Sequence, residues 1–90
     1  MVENFENTLL KFPCEFSVKA IGLASATLEL EVLSIIKKHV NEFKEDAITS
    51  RLSHNQRYLS LTMTFTAESK TQLDAIYLDL SACKHVLVAL

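Results

Sequence analysis

Residues 58–67 read YLSLTMTFTA, a stretch in which apolar and hydroxyl-bearing side chains alternate from end to end. Successive side chains of a β-strand point to opposite faces, so this period of two predicts a half-buried strand over Tyr58–Ala67. The residues expected to face the core are Leu59, Leu61, Met63 and Phe65, and those expected to face away are Tyr58, Ser60, Thr62, Thr64 and Thr66. One apolar and one polar face are typical of an antiparallel sheet that is covered on one side only.

The segment before this strand predicts a hairpin. Ala47–Ser53 reads as a second strand, and His54-Asn55-Gln56-Arg57 joins it to Tyr58. A connection this short makes the two strands antiparallel neighbours.

Further upstream, Cys14–Ile21 alternates in the same way, with Phe16, Val18 and Ala20 on one side. This pattern predicts another half-buried strand, which we expect Gly22 to end. Before it, Asn4–Lys11 predicts a short helix that stops ahead of Pro13, because the residue before a proline is pushed out of the helical region.

Two segments carry apolar residues at helical spacing. The first predicts a helix from Ser25 or Thr27 to Val40, and the second begins at the capping-box pattern Ser69-x-x-Gln72. Their apolar stripes are Leu28, Val32, Ile35, Ile36 and Val40 in the first, and Leu73, Ile76, Tyr77 and Leu80 in the second. Val86–Leu90 then predicts a short last strand.

The predicted order is strand, helix, strand, strand, helix, strand, preceded by the short N-terminal helix. Right-handed crossovers place both helices on one face of the sheet. Interleaving the two units around the hairpin predicts an α+β fold of the ferredoxin-like, split-βαβ type, a four-stranded antiparallel sheet of order 4-1-3-2. With 90 residues in all, residues 1–90 are expected to form a single domain.

Composition argues against several classes of protein. A net charge of −2 offers no general attraction to nucleic acid or to an anionic membrane. The chain has no apolar run of transmembrane length, no signal-peptide pattern at its start, and only two cysteines, Cys14 and Cys83. A cytoplasmic, reduced protein is expected, and the two cysteines are predicted to lie too far apart for a bridge.

The residues that could carry chemistry are few and scattered. Catalysis needs a nucleophile, a base and a stabiliser in one pocket, whereas no two of the candidates have a known catalytic spacing, so we expect no enzyme and no cofactor. The candidates are Cys14, Cys83, His39, His54 and His85. Cys83-x-His85 supplies only two of the three or four ligands that zinc needs, so no metal is expected and structural or incidental roles are favoured.

His39 is expected to serve as a residue at a helix C-terminus, favoured by the helix dipole. RNA binding is disfavoured, because the outward face of Tyr58–Ala67 lacks the run of aromatics with which RNA-binding sheets of this topology stack bases.

The face of the sheet that the helices leave open is the candidate site. It is predicted to carry Lys19, Ser17, Arg51, Tyr58, Ser60 and Thr62. A lysine charge flanked by hydroxyls suits a carboxylate or a phosphate. The alternative, left open here, is a solvated polar face with no ligand.

The last strand, Val86–Leu90, is apolar on both sides, which at a sheet edge invites pairing with another strand. The sequence therefore predicts a homodimer formed through this edge. The alternative is that the N-terminal segment covers the edge with Phe5, Leu9 and Leu10.

The pattern Leu9-Leu10-x-Phe12-Pro13-x-x-Phe16-x-x-Lys19-x-x-Gly22 resembles the opening of the YbeD-like family of small uncharacterised bacterial proteins. The resemblance continues through His39, Tyr58-x-Ser60, Ala67, Gln72, Tyr77, Leu80 and the apolar C-terminus, and so covers nearly the whole chain. The chain departs from the family in the hairpin turn, where His54-Asn55-Gln56-Arg57 replaces a glycine-containing turn, and in the loop at residues 41–46.

That family resembles the ACT-type regulatory domains of metabolic enzymes in fold, and its genes tend to accompany lipoate-attachment genes. The resemblance implies a non-catalytic regulatory or adaptor domain that binds a small metabolite or a metabolic enzyme. The alternative is a structural interaction module that works through its sheet edges.

Overall fold

The computed structural model describes residues 11–90. Its elements are β1 (Cys14–Leu23), α1 (Ala26–His39), a 3-10 turn (Glu45–Ala47), β2 (Ile48–Leu52), β3 (Tyr58–Ala67), α2 (Lys70–Ala82) and β4 (Val88–Ala89). The strands form one antiparallel sheet in the order β2-β3-β1-β4, which is the predicted α+β topology. The helix expected at Asn4–Lys11 lies, except for its last residue, outside the described part of the chain.

The two longest strands, β1 and β3, form the centre of the sheet. They pair over their whole length, from Cys14 opposite Ala67 to Leu23 opposite Tyr58. Val18, Leu61 and Met63 are fully buried, while the side chains that alternate with them are at least partly exposed, as the period of two predicted.

Both helices pack on the buried face of the sheet and complete one core. The core residues from the helices are Leu28, Val32 and Ile36 of α1 and Leu73, Ile76 and Leu80 of α2, which join Val18, Ala20, Leu61, Met63, Phe65 and Ala67 of the sheet. Within residues 11–90 the core includes no buried charged or polar residue.

Polar side chains cap both helices at their N-termini. Ser25 accepts a hydrogen bond from the Leu28 N–H at the start of α1, and Ser69 accepts one from the Gln72 N–H at the start of α2. The Gln72 side chain reaches back to the N–H of Glu68, one residue earlier than the predicted capping box requires.

Gly22 does not end β1, as the sequence predicted, but lies inside it opposite Leu59. A β-carbon at this position would collide with the carbonyl oxygen of His85 and would touch the Leu28 side chain. The glycine is therefore needed for the close approach of another backbone segment and not for a strand end.

The last strand is shorter than the predicted Val86–Leu90. Only Val88–Ala89 is regular strand, although backbone hydrogen bonds from Leu87 to Ile21 and between Leu90 and Lys19 continue the contact with β1. Ala89 lies opposite the buried Ala20 and faces the core, whereas Val88 lies opposite Ile21 on the open face.

Candidate functional site

The open face of the sheet carries all six residues that the sequence proposed for the site. The strand register places Lys19 directly opposite Thr62, and Arg51 directly opposite Ser60. Residues directly opposite each other in antiparallel strands point to the same face. Lys19 and Arg51 therefore lie on either side of β3, with hydroxyl side chains between them.

The spacing of the two cations suits one small anion. Lys19 on β1 and Arg51 on β2 are separated by β3 and by two residues along the strands. Strand spacing and rise put their Cα atoms about 12 Å apart. Both side chains are long and exposed, so they can converge on a carboxylate or phosphate held above Ser60 and Thr62.

Tyr58 lies farther from Lys19 than the sequence suggested. It stands opposite Leu23, four residues along β3 from Thr62, the partner of Lys19. Four residues of strand span about 13 Å, so the hydroxyl that directly flanks the lysine is that of Thr62. Tyr58 instead lines a shallow depression with Arg51 and Ser60.

Ser17 lies at the other end of the face and is already engaged. Its hydroxyl shares a hydrogen bond of 2.9 Å with the hydroxyl of Thr64 on β3. This cross-strand pair ties β1 to β3, and it leaves Ser17 less available to a ligand than Ser60 and Thr62.

The sequence did not predict that part of the open face is apolar. Ile21 lines the depression beside Arg51, and Val88 and Leu90 lie across β1 from β3 on the same side of the sheet. Val88 is 44% exposed and Leu90 63%. The alternation of β1 already placed Ile21 on the outward side, but the face of the last strand could not be assigned without its register.

A second polar cluster joins the C-terminal end of α1 to α2. His39 Nε2 lies 2.6 Å from Asp79 Oδ2, and Lys38 Nζ lies 3.4 Å from the same oxygen. The hydrogen bond to His39, followed by the charge of Lys38, lowers the pKa of the Asp79 carboxyl against the opposing effect of desolvation. His39 sits in the last turn of α1, as expected, and also links α1 to α2.

A third cluster consists of Glu31, Cys83 and His85, of which Cys83 and His85 were expected to have structural or incidental roles. The Cys83 thiol donates a hydrogen bond of 3.0 Å to Glu31 Oε1, and His85 Nδ1 lies 2.7 Å from the same oxygen. These contacts, that of Cys83 first, lower the pKa of the Glu31 carboxyl. Burial, followed by the contact with Glu31, raises the pKa of the Cys83 thiol.

The two cysteines are both free. Cys14 pairs with Ala67 at one end of β1, whereas β4, which follows Cys83, pairs with Ala20 and Ile21 toward the other end. None of the helices described within residues 11–90 has the length and apolar character needed to cross a membrane.

A family model matches most of the chain. A family described as "Protein of unknown function (DUF493)" matches residues 7–90. This chain is 40% identical over 72 residues to UPF0250 protein NE1487 of Nitrosomonas europaea, a match that covers 80% of this chain and 83% of that protein. It is 35% identical over 86 residues to a UPF0250 protein of Shewanella woodyi, with 96% of each chain covered.

The fold is also similar to a solved structure. The solution structure of protein HP0495 from H. pylori superposes with a TM-score of 0.74 over 90% of this chain and 85% of that one. At 16% sequence identity, the likeness concerns the fold alone.

Proposed function

The chain belongs to the DUF493 family of proteins of unknown function, and from that premise we propose that it is a non-catalytic, ACT-like regulatory or adaptor domain. It binds a small anionic metabolite or a metabolic enzyme through the open face of its sheet. The DUF493 family is the YbeD-like family that the sequence was found to resemble. The regulatory or adaptor role expected from that resemblance therefore supports the proposal for this chain.

One observation carries the proposal, the placement of Lys19 and Arg51 on either side of the β3 hydroxyls. Lys19 faces Thr62 and Arg51 faces Ser60, on the side of the sheet opposite the core. An ammonium and a guanidinium with hydroxyl groups between them supply charge and directed hydrogen bonds to an oxyanion. A polar face that only contacts solvent does not require two cations on either side of a row of hydroxyl groups.

The apolar part of the face suits a ligand with a hydrocarbon body. Ile21 lines a depression with Arg51, and Val88 and Leu90 flank β1 beside Lys19, so a carboxylate held by the two cations could rest its chain on these side chains. Lipoate has this chemistry, and the association of the family's genes with lipoate attachment makes it a reasonable probe.

The test is a titration of the isotopically labelled protein, followed by NMR, with lipoate and separately with inorganic phosphate. We expect saturable shifts at amides of β1 and β3 around Lys19 and Thr62. The variants Lys19→Ala and Arg51→Ala should each weaken binding by about 1–3 kcal/mol, the usual contribution of a charged hydrogen bond.

Lys44→Ala is the control, because it removes the same charge from the connection between α1 and β2, where Lys44 lies beside Thr64 and Thr66, toward the end of β3 that is farther from Arg51 and Ser60. Equal weakening by Lys44→Ala would mean that binding follows overall charge. Shifts confined to residues away from β1 and β3 would contradict the proposed site.

A structural interaction module is the second candidate, because the last strand leaves apolar side chains exposed at the sheet edge. Leu87 is 58% exposed and Leu90 63%. An apolar edge favours pairing with a second copy of the chain, which would form a homodimer. Sedimentation should then show a dimer that Leu90→Lys disrupts, whereas a monomer at high micromolar concentration would dismiss this candidate.

A further inference from the structure

The cluster of Glu31, Cys83 and His85 brings three different ligand atoms to one point on the surface. Glu31 comes from α1, Cys83 follows the last residue of α2, and His85 lies in the segment that leads to β4. One oxygen, one sulfur and one nitrogen of these side chains all lie within 4.8 Å of one another. The third ligand that Cys83 and His85 lacked in the sequence is thus supplied by a helix more than 50 residues away.

The donor types select a class of metal ion. Thiolate, imidazole and carboxylate together suit zinc and similar borderline-soft ions, whereas magnesium and calcium prefer oxygen ligands alone. The carboxylate and a thiolate would also balance the two positive charges of such an ion. Lys84, an exposed residue between Cys83 and His85, places a positive charge near Glu31 that opposes cation binding.

The spacing needs little adjustment. Bonds to zinc of about 2.0–2.3 Å place neighbouring ligand atoms of a tetrahedral site about 3.5 Å apart. The present contacts, 2.7 Å for His85 to Glu31 and 3.0 Å for Cys83 to Glu31, would open by less than about 1 Å, and the Cys83 and His85 ligand atoms, which lie within 4.8 Å of each other, would close by no more than about 1.3 Å. The Glu31 and His85 side chains are 43% and 33% exposed, so they have room to turn and the ion has a path from solvent.

We propose that Glu31, Cys83 and His85 form a binding site for a borderline-soft divalent cation, zinc above all. The thiol proton passes to solvent as the metal binds, and the fourth coordination position is left for water or a further ligand. A bound ion would fasten the segment between α2 and β4 to α1. That is the segment whose carbonyl, at His85, lies against Gly22 of β1.

The test uses the tag-free, reduced protein and cobalt as a spectroscopic substitute for zinc. We expect a saturable thiolate-to-cobalt charge-transfer band with one metal per chain, which added Zn²⁺ removes by competition. Zn²⁺ at a few times its Kd should raise the Tm by about 4–8 °C, the shift expected of a ligand of that occupancy in a domain of this size.

Each ligand has a matched control elsewhere in the chain. Cys83→Ser should abolish the band while Cys14→Ser retains it. Glu31→Gln should lower the affinity by at least about 10-fold, a loss that even an outer partner of a ligand can cause, while Glu29→Gln on the same helix leaves it unchanged. His85→Asn should also weaken metal binding, and His54→Asn is its control.

Two results would overturn the proposal. One is a band or a Zn²⁺-dependent rise in Tm that survives in Cys83→Ser, or a metal affinity of Glu31→Gln equal to that of the wild type, because the metal would then bind elsewhere. The other is no band and no change in Tm up to millimolar metal, because the three side chains would then form only the hydrogen-bonded contact described above.

Discussion

At Gly22 the lack of a β-carbon lets two backbone segments pass in close contact. The carbonyl of His85 occupies the space that any larger residue would need, and Leu28 of α1 closes the site from the core side. Because backbone cannot move aside as a flexible side chain can, the position demands glycine for steric reasons. The chain has one glycine, and this is where it lies.

Gly22→Ala should therefore destabilise the domain by about 1–3 kcal/mol, the cost of forcing an extra carbon into a packed site. Urea unfolding measures the change directly. Glu15→Ala is the control, since it alters an exposed position of the same strand. Equal stability of Gly22→Ala and the wild type would show that the His85 segment can move aside without cost.

At the scale of single residues, some features could be predicted from the sequence and others could not. The strand at Tyr58–Ala67 was predicted to the residue because its alternation is unbroken. In the structure, the alternation of burial continues through Gly22 to Leu23, but the outward residues Ile21 and Leu23 are apolar, so the sequence pattern did not show it. The partnership of Glu31 with Cys83 and His85 left no local signal, because it joins residues 52 and 54 positions apart.

Among the elements, the C-terminal end of α1 is joined to α2 by the contact of His39 with Asp79. Gln72 adds a hydrogen bond from its side-chain amide to the carbonyl of His39. His39, which was expected only to lie at a helix C-terminus, therefore also joins α1 to α2. The sequence predicted each helix and its apolar stripe, but the register of one helix against the other depends on packing that a periodic pattern does not contain.

This contact predicts a specific acid sensitivity. The pKa of Asp79 is lowered in the folded state, so the carboxylate contributes stability above its unfolded value near 3.8 and loses it as pH falls through the lower folded value. Between pH 5 and pH 2 the wild type should lose stability more steeply than Asp79→Asn, and the two should converge at the acid end.

Urea midpoints measured across that range test the prediction. Asp74→Asn is the control, because it removes a carboxylate that pairs with Lys70 on α2 itself and not with α1. If stability falls equally with pH in the wild type and in Asp79→Asn, the contact with His39 contributes nothing to the loss of stability in acid.

For the whole molecule, the order of elements was predictable and the arrangement of the open face only in part. All six proposed residues lie on that face, because side-chain alternation within each strand decides it. Which of them stand together depends on the register between strands distant in sequence. That register put Thr62, and not Tyr58, opposite Lys19, and it brought Ile21 and Val88 into the same surface.

The central claim, that the open face binds a metabolite or a metabolic enzyme, is tested most directly by affinity capture from a bacterial lysate with mass spectrometry. Wild type, Lys19→Ala/Arg51→Ala and the control Lys44→Ala are compared at equal loading, after circular dichroism has shown that all three are folded. We predict that a metabolic enzyme or an anionic small molecule is recovered with the wild type and with Lys44→Ala, and is lost with the double variant. Recovery of the same proteins and small molecules with all three would contradict the claim.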